Sequence, residues 1–270
     1  MDLLECRKLL ENYEFQNITS ASTRSTFDLF EADFEDKHFY VKIAPSGHPF
    51  GENLLLQRNV LAALYPELPI YFSENSKLVF LAVLELDKPS KYDFDVANSL
   101  VENDAGKNQL LVSLVPPNRN MDALVSKAGD ALKFFENGEI VSKDLCKFLT
   151  DQVNTLKAHI GQTETVVNHG DVSNPNIFLL NNRPILLDWE DIMIGYPGYD
   201  QVYWLTFLAN LDQVTQRNLE EIPTSLEVVH ATFFLVVVLK EYLQTFKVID
   251  QNRISVEKRL LSLFRLPTFG

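Results

Sequence analysis

The chain has 270 residues, a formal charge of −13 and a pI of about 4.8. Such a balance argues against a nucleic-acid binder that works by neutralising phosphates, and 46% hydrophobic with 11% aromatic residues argue against global disorder. Cys6 and Cys146 make neither a metal spacing nor a disulfide framework, the N-terminal MDLLECRKLLENYEF lacks the apolar core of a signal peptide, and the longest apolar run, Ala231 to Leu239, is far short of the roughly 20 residues a bilayer needs. A cytoplasmic protein without a membrane or nucleic-acid partner is expected, acting as a monomer or weak homodimer.

Taken in order, STFDLFEADF (25–34) and KHFYVKIA (37–44) alternate like two half-buried strands, with a turn between them. ENLLLQRNVLAAL (52–64) has helical spacing and is stopped by Pro66. LPIYFSE (68–74) and KLVFLAVLEL (77–86) read as two further strands. From Pro89 the texture changes: KYDFDVANSLVENDAGKNQ (91–109) is polar and loop-like, though part of it suits a helix. In SKDLCKFLTDQVNTLKAHI (142–160), Leu145, Phe148, Leu149, Val153, Leu156 and Ile160 form one helical stripe. Three more helical patterns follow at 199–211, 225–246 and 254–264. The fold class predicted is α+β, two-lobed, with an antiparallel-sheet lobe carrying one main helix (1–88) and a larger helical lobe (89–270).

One stretch interrupts the helical part. In VVNHGDVSNPNIFLL (166–180) a polar loop lies between apolar runs, and NIFLL with RPILLDW reads as a hairpin turning at Asn181, Asn182 and Arg183. A turn centred on Asn182 sets Leu179 opposite Ile185, Ile177 opposite Leu187, and Asn176 opposite Asp188. That pairing would bring two oxygen ligands together for one hard cation. His-x-Asp, four residues, then Asn is also the spacing of a phosphoryl-transfer catalytic loop. There one carboxylate orients the attacking hydroxyl while an amide oxygen and a second carboxylate hold Mg2+.

HGDVSNPN followed by LLDWED resembles the aminoglycoside phosphotransferase and choline kinase family, whose fold is protein-kinase-like. The resemblance implies Asp171 as catalytic base, Asn176 and Asp188 as Mg2+ ligands, and Glu190 as a second acidic group near the metal. It implies His169 as a brace of the loop and Asp200 as a structural residue opening the next helix. In the small lobe it implies Lys42 as the strand lysine on the ATP phosphates and Glu85 to Asp87 as the link whose backbone meets adenine. Two departures stand out. Gln57 occupies the position of the helix Glu that pairs with the lysine, and the phosphate-covering loop is glycine-free, with TSASTRS (19–25), and Ser22 in it, as the candidate.

About ten residues separate Asp188 from the helix near Asp200, too few for an activation segment, and Gly170 follows the loop His, so a peptide substrate is disfavoured. The function implied is ATP- and Mg2+-dependent transfer of the γ-phosphate to a hydroxyl of a small molecule. The acidic composition and the aromatics Trp189, Tyr196, Tyr199, Tyr203, Trp204 and Phe207 suggest a cationic acceptor such as an aminoglycoside, choline or thiamine, although most of these aromatics suit a core. The alternative is a degenerate kinase that binds nucleotide or metabolite without turnover.

Overall fold

The computed structural model describes residues 3–22, 28–105, 108–162, 164–245 and 255–264. In chain order these form helix α1 (Leu3–Asn12), strands β1 (Gln16–Ser22), β2 (Asp28–Phe34) and β3 (Lys37–Pro45), helix α2 (Pro49–Leu64), and strands β4 (Ile70–Glu74) and β5 (Leu78–Leu84). Helices α3 (Phe94–Ala105), α4 (Asn108–Val112), α5 (Met121–Asn137) and α6 (Lys143–His159) follow. Strand β6 (Val166–Asn168), the hairpin strands β7 (Ile177–Leu180) and β8 (Arg183–Leu186), and β9 (Met193–Gly195) come next. Helices α7 (Tyr199–Leu205), α8 (Gln216–Glu220), α9 (Leu226–Thr245) and α10 (Val256–Leu263) complete the order. Among the described residues no helix is long and apolar enough to cross a membrane.

Two compact units divide the chain: Met1–Ser90 with Ile177–Glu190, and Lys91–Asn176 with Asp191–Gly270. The sequence reading places one boundary between residues 88 and 89; the first of these units also takes in residues 177–190.

The first unit is an antiparallel sheet in the order β1-β2-β3-β5-β4. Alternation sends Phe39, Val41 and Ile43 of β3, with Phe80 and Ala82 of β5, to one face, where they bury against Cys6, Leu9 and Leu10 of α1. Ala44, Val79 and Leu81 face the other way and bury Leu54 of α2. Full burial of each such Leu, Phe or Val contributes about 1.5–3 kcal/mol, so one sheet supports a helix on either side. Helix α2 approaches closely at Gly51, where a Cβ would come within 2.7 Å of the Pro45 carbonyl oxygen and 2.9 Å of Val79 Cγ1. Pro49 at its start and the His48 ring accepting from the Phe50 amide (3.3 Å) fix where α2 begins.

The second unit is built on α9. Val228, Val229, Phe233, Phe234, Leu235, Val236, Val237 and Val238 are buried in it, which covers most of its circumference, and α5, α6 and α7 pack around it. Helix α5 is amphipathic, with Met121, Val125, Ala128, Ala131, Leu132 and Phe135 buried and Asn120 capping its start by accepting from the Ala123 amide (3.0 Å). Strands β6 and β9 pair antiparallel, Asn168 opposite Met193, so the chain leaves β6 directly into the polar loop.

Candidate active site

In the first unit the alternation that buries Val41 and Ile43 on the α1 side turns Lys42 toward α2. There the Lys42 ammonium donates to Gln57 Oε1 (3.3 Å) and to Asp188 Oδ1 (2.6 Å). Lys42 and Asp188 keep 22% and 33% of their side-chain surface, so both remain reachable. Gln57 is buried, and its Nε2 has no hydrogen-bond partner among the described residues. The structure thus brings Lys42, Gln57 and Asp188 together.

Asp188 is delivered by the hairpin. Asn181 and Asn182 both take positive φ, 52° and 64°, making the two-residue turn that matches strand twist. The resulting register sets Leu179 opposite Pro184, Phe178 opposite Ile185 and Ile177 opposite Leu186. The expected register is therefore corrected by one residue, and the ladder does not extend to a pairing of Asn176 with Asp188. Instead Asp188 lies beyond β8 with φ 67°, and Trp189 begins a short 3-10 turn and donates through Nε1 to the Leu186 carbonyl (2.9 Å). The hairpin is anchored to the end of α2, where Tyr65 OH accepts from the Leu186 amide (3.2 Å) and Arg183 pairs with Glu67 (2.8 Å). Glu190 is half-buried in the same 3-10 turn.

The 85–88 link is backed by this hairpin. The Leu179 amide donates to the Asp87 carbonyl (2.8 Å), and the Lys88 ammonium lies 3.2 Å from the centre of the Phe178 ring. Although much of Lys88 is exposed, burial of its ammonium pushes its pKa down to about 8. The Glu85 amide is bonded to the His38 carbonyl (2.9 Å) and its side chain accepts from Tyr40 OH (3.0 Å). Two of the backbone groups expected to meet adenine are thus engaged within the unit. The candidate phosphate loop divides: residues 19–22 belong to β1, Ser22 lying opposite Leu29, and residues 23–25 lie outside the described residues.

In the second unit the polar loop is pinned at its start. The His169 and Gly170 amides donate to the two carboxylate oxygens of Asp200 (2.7 and 3.0 Å), a buried residue in the first turn of α7. His169 is itself buried, and its Nδ1 accepts from the Asp171 amide (3.2 Å), which makes it the brace expected. Gly170 has φ 87°, and a Cβ there would lie 2.1 Å from the Asp191 carbonyl oxygen. With its backbone held, Asp171 presents its carboxylate to Asn176, whose Nδ2 donates to Asp171 Oδ2 (3.1 Å) and to the Asp171 carbonyl (3.0 Å). Both of those atoms only accept, so the amide nitrogen must face them and Asn176 Oδ1 is the end left for a cation. Asn174 accepts from Trp204 Nε1 (2.9 Å) and closes the loop against α7.

Asp171 shares a cavity with Tyr203 and Phe207, aromatics the sequence reading named, and with Lys240, which it did not single out. Burial first, and then the Asp171 charge, holds the Tyr203 phenol well above its usual range. Lys240, on α9, donates to Thr206 Oγ1 (2.6 Å), and its ammonium sits 3.4 Å from the Phe207 ring centre and 3.9 Å from that of Tyr203. Burial pushes its pKa down to about 7, with Asp171 pulling the other way. A lysine inside the apolar run LVVVLKEYL was a readable signal, since a buried lysine needs a partner. Trp189, Tyr196, Tyr199 and Trp204 are buried in the core. Among the described residues no three or more His, Cys, Asp or Glu converge as a metal cluster.

A sheet-bearing unit with a strand lysine and a helical unit with a pinned His-x-Asp loop define a kinase-like phosphotransferase. The model of the phosphotransferase enzyme family (APH) matches residues 25–221, and the chain belongs to that family. Membership makes it a phosphotransferase by class. No curated protein matches the sequence. Among solved structures, aminoglycoside phosphotransferase APH(4)-Ia is similar over 97% of this chain and 98% of its own, at 12% identity and TM-score 0.62. The AMP-bound spectinomycin phosphotransferase APH(9)-Ia covers 97% and 95%, at 16% identity and TM-score 0.60. The amicoumacin kinase hAmiN, in complex with AMP-PNP, Ca2+ and Ami, covers 100% and 93%, at 11% identity and TM-score 0.61. These likenesses establish the fold.

Proposed function

We propose that the chain transfers the γ-phosphate of ATP, with Mg2+, to a hydroxyl of a small molecule in the cytoplasm. The observation that carries this reading is the Asp171 carboxylate, fixed by its own buried loop and by the Asn176 amide while still reachable from the cavity it lines. Asp171 orients the acceptor hydroxyl and takes its proton. The hydroxyl oxygen forms a bond to the γ-phosphorus, the bond from that phosphorus to the β–γ bridging oxygen breaks, and ADP leaves.

Lys42 steadies the phosphates, and Gln57 holds Lys42 by a neutral hydrogen bond in place of an ion pair. Asn176 Oδ1 and the Asp188 carboxylate are the hard oxygen donors that would hold Mg2+, with Glu190 as a further acidic neighbour. The metal, when bound, neutralises charge on the phosphates. Glu85 to Asp87 flank the adenine, and Ser22 ends the strand that leads into the phosphate-covering loop.

ADP release measured over a panel of hydroxyl compounds tests this. Asp171→Asn is expected to cut turnover by about 10²–10⁴-fold, the usual contribution of a positioned base, while nucleotide-dependent thermal stabilisation persists. Undiminished turnover would remove Asp171 from the role.

One observation favours a second reading, nucleotide binding without turnover: Lys42 is paired with a neutral amide, and its ion-pair partner is Asp188. That reading predicts a thermal shift with Mg2+ and ATP and no ADP from any acceptor.

A further inference from the structure

Two cavities in the second unit, of about 340 and 710 Å³, share Tyr203, Lys240 and Leu243, and the larger is lined by Asp171. The charges around them run against the −13 of the whole chain. The smaller cavity is lined by Arg119, Lys127 and Lys240 against one carboxylate, Asp191, among the described residues. In the larger cavity, Glu241 is buried and paired with Arg259 at 2.6 Å, which leaves Asp171 and Lys240 facing it as opposite charges. A polycationic acceptor binds through several carboxylates, and this wall offers an excess of cations. A cationic acceptor in the smaller cavity therefore meets like charge on Arg119 and Lys127.

The aromatic route to a cation is also taken. Tyr203 and Phe207, the partly accessible members of the aromatic cluster, have their faces covered by the ammonium of Lys240. A quaternary ammonium stacking on the face that Lys240 occupies must displace it.

We propose that the acceptor is a small hydroxylated anion, a carboxylate or phosphate ester, whose negative group is held by Arg119 and Lys127 while its hydroxyl is presented to Asp171. This rests on the phosphotransfer reading above and replaces the cationic acceptor suggested by composition. Arginine suits a planar or tetrahedral oxyanion by donating through two N–H groups, and lysine adds a mobile charge beside it.

The test uses the full chain and four probes matched in size: glycerate, glycerol 3-phosphate, glycerol and choline, with an aminoglycoside as a fifth. Thermal stabilisation and ADP release in the presence of Mg2+ and ATP are read for each. One or both anions are expected to stabilise the chain and to act as acceptors, with glycerate against glycerol 3-phosphate distinguishing the two oxyanions. Choline and the aminoglycoside are expected to do neither. Arg119→Gln and Lys127→Gln should each raise the KM for the anion at least tenfold with a much smaller change in kcat. Stabilisation or turnover by choline or the aminoglycoside equal to that by the anions would overturn the proposal. So would anion effects that survive both substitutions, or no response to either anion. Anion-dependent stabilisation without ADP from any probe would leave the charge preference standing and sink the phosphotransfer reading, so the two failures are separate.

Discussion

Gly170 is the residue on which the loop geometry turns. Its φ of 87° costs an L-residue about 1 kcal/mol or more, and a Cβ would meet the Asp191 carbonyl oxygen at 2.1 Å, so the backbone must move. Gly170→Ala is expected to lower stability by about 2–4 kcal/mol in urea unfolding and to depress kcat more than the KM for nucleotide. Gln57 makes the opposite case. Its Nε2 is buried without a partner among the described residues, an arrangement that costs about 1–3 kcal/mol. In Gln57→Glu an oxygen replaces that nitrogen and an ion pair replaces the 3.3 Å hydrogen bond to Lys42. Lys42 is then drawn from Asp188, and the Mg2+ concentration giving half-maximal activity should fall several-fold; an unchanged midpoint would show that Asp188 is not limited by its lysine. Asp171 and Asn176 were singled out by residue type and spacing and Lys42 by the resemblance; the sequence alone did not bring Lys42 to Asp188, which the hairpin delivers to it at 2.6 Å. Lys240 was not placed, because what makes it unusual is the pair of rings and the carboxylate that tertiary packing brings to it.

At the scale of elements, the 177–190 hairpin carries the most weight, because it both delivers Asp188 and backs the 85–88 link. Its anchor is the hydroxyl of Tyr65, which accepts from the buried Leu186 amide. Tyr65→Phe leaves that amide unsatisfied and is expected to cost about 1–3 kcal/mol, read as a lower midpoint of thermal unfolding and a weaker Mg2+ dependence of activity. The hairpin's strands were legible from period-two patterning, but its register was not. Asn-Asn-Arg admits a two- or three-residue turn, and the choice falls to the positive φ of both asparagines and to the anchors on α2. Strand β1 was missed for a different reason: QNITSAS has no apolar alternation, and its register shifts twice against β2. Helix α5 did carry readable signals, an Asn cap, a terminal Gly138 and a regular apolar stripe. KYDFDVANSLVENDAGKNQ, read as loop-like with a part that suits a helix, holds α3, whose buried residues include Phe94, Ala97 and Leu100.

For the molecule as a whole, net charge is a sum over 61 charged side chains (24 Lys and Arg, 37 Asp and Glu) and does not say which few line a cavity wall. Lys240 also links stability to pH. Burial pushes its folded pKa down to about 7 from 10.5. Below pH 7 both states are protonated, and the cost of burying the charge is felt in full. Between pH 7 and 10.5 the unfolded chain keeps a proton that the folded chain has shed, so stability rises with pH, by up to about 1.4 kcal/mol per unit from this group. Urea midpoints of the wild type and Lys240→Met, compared at pH 7 and pH 9, should diverge by on the order of 1–3 kcal/mol in favour of the wild type at the higher pH. Parallel curves would mean that the ammonium is better solvated than its surroundings suggest.

The same lysine has a kinetic meaning. A side chain tethered to the helix beside Tyr203 and Phe207 is present at those rings at an effective concentration in the millimolar range or above, as for any short tether. A free ammonium compound therefore meets a competitor that never diffuses away and cannot be diluted. If the acceptor is the anion proposed above, this tether suppresses capture of small cations at those rings without a gate or a moving part, most strongly below about pH 7, where the lysine is charged.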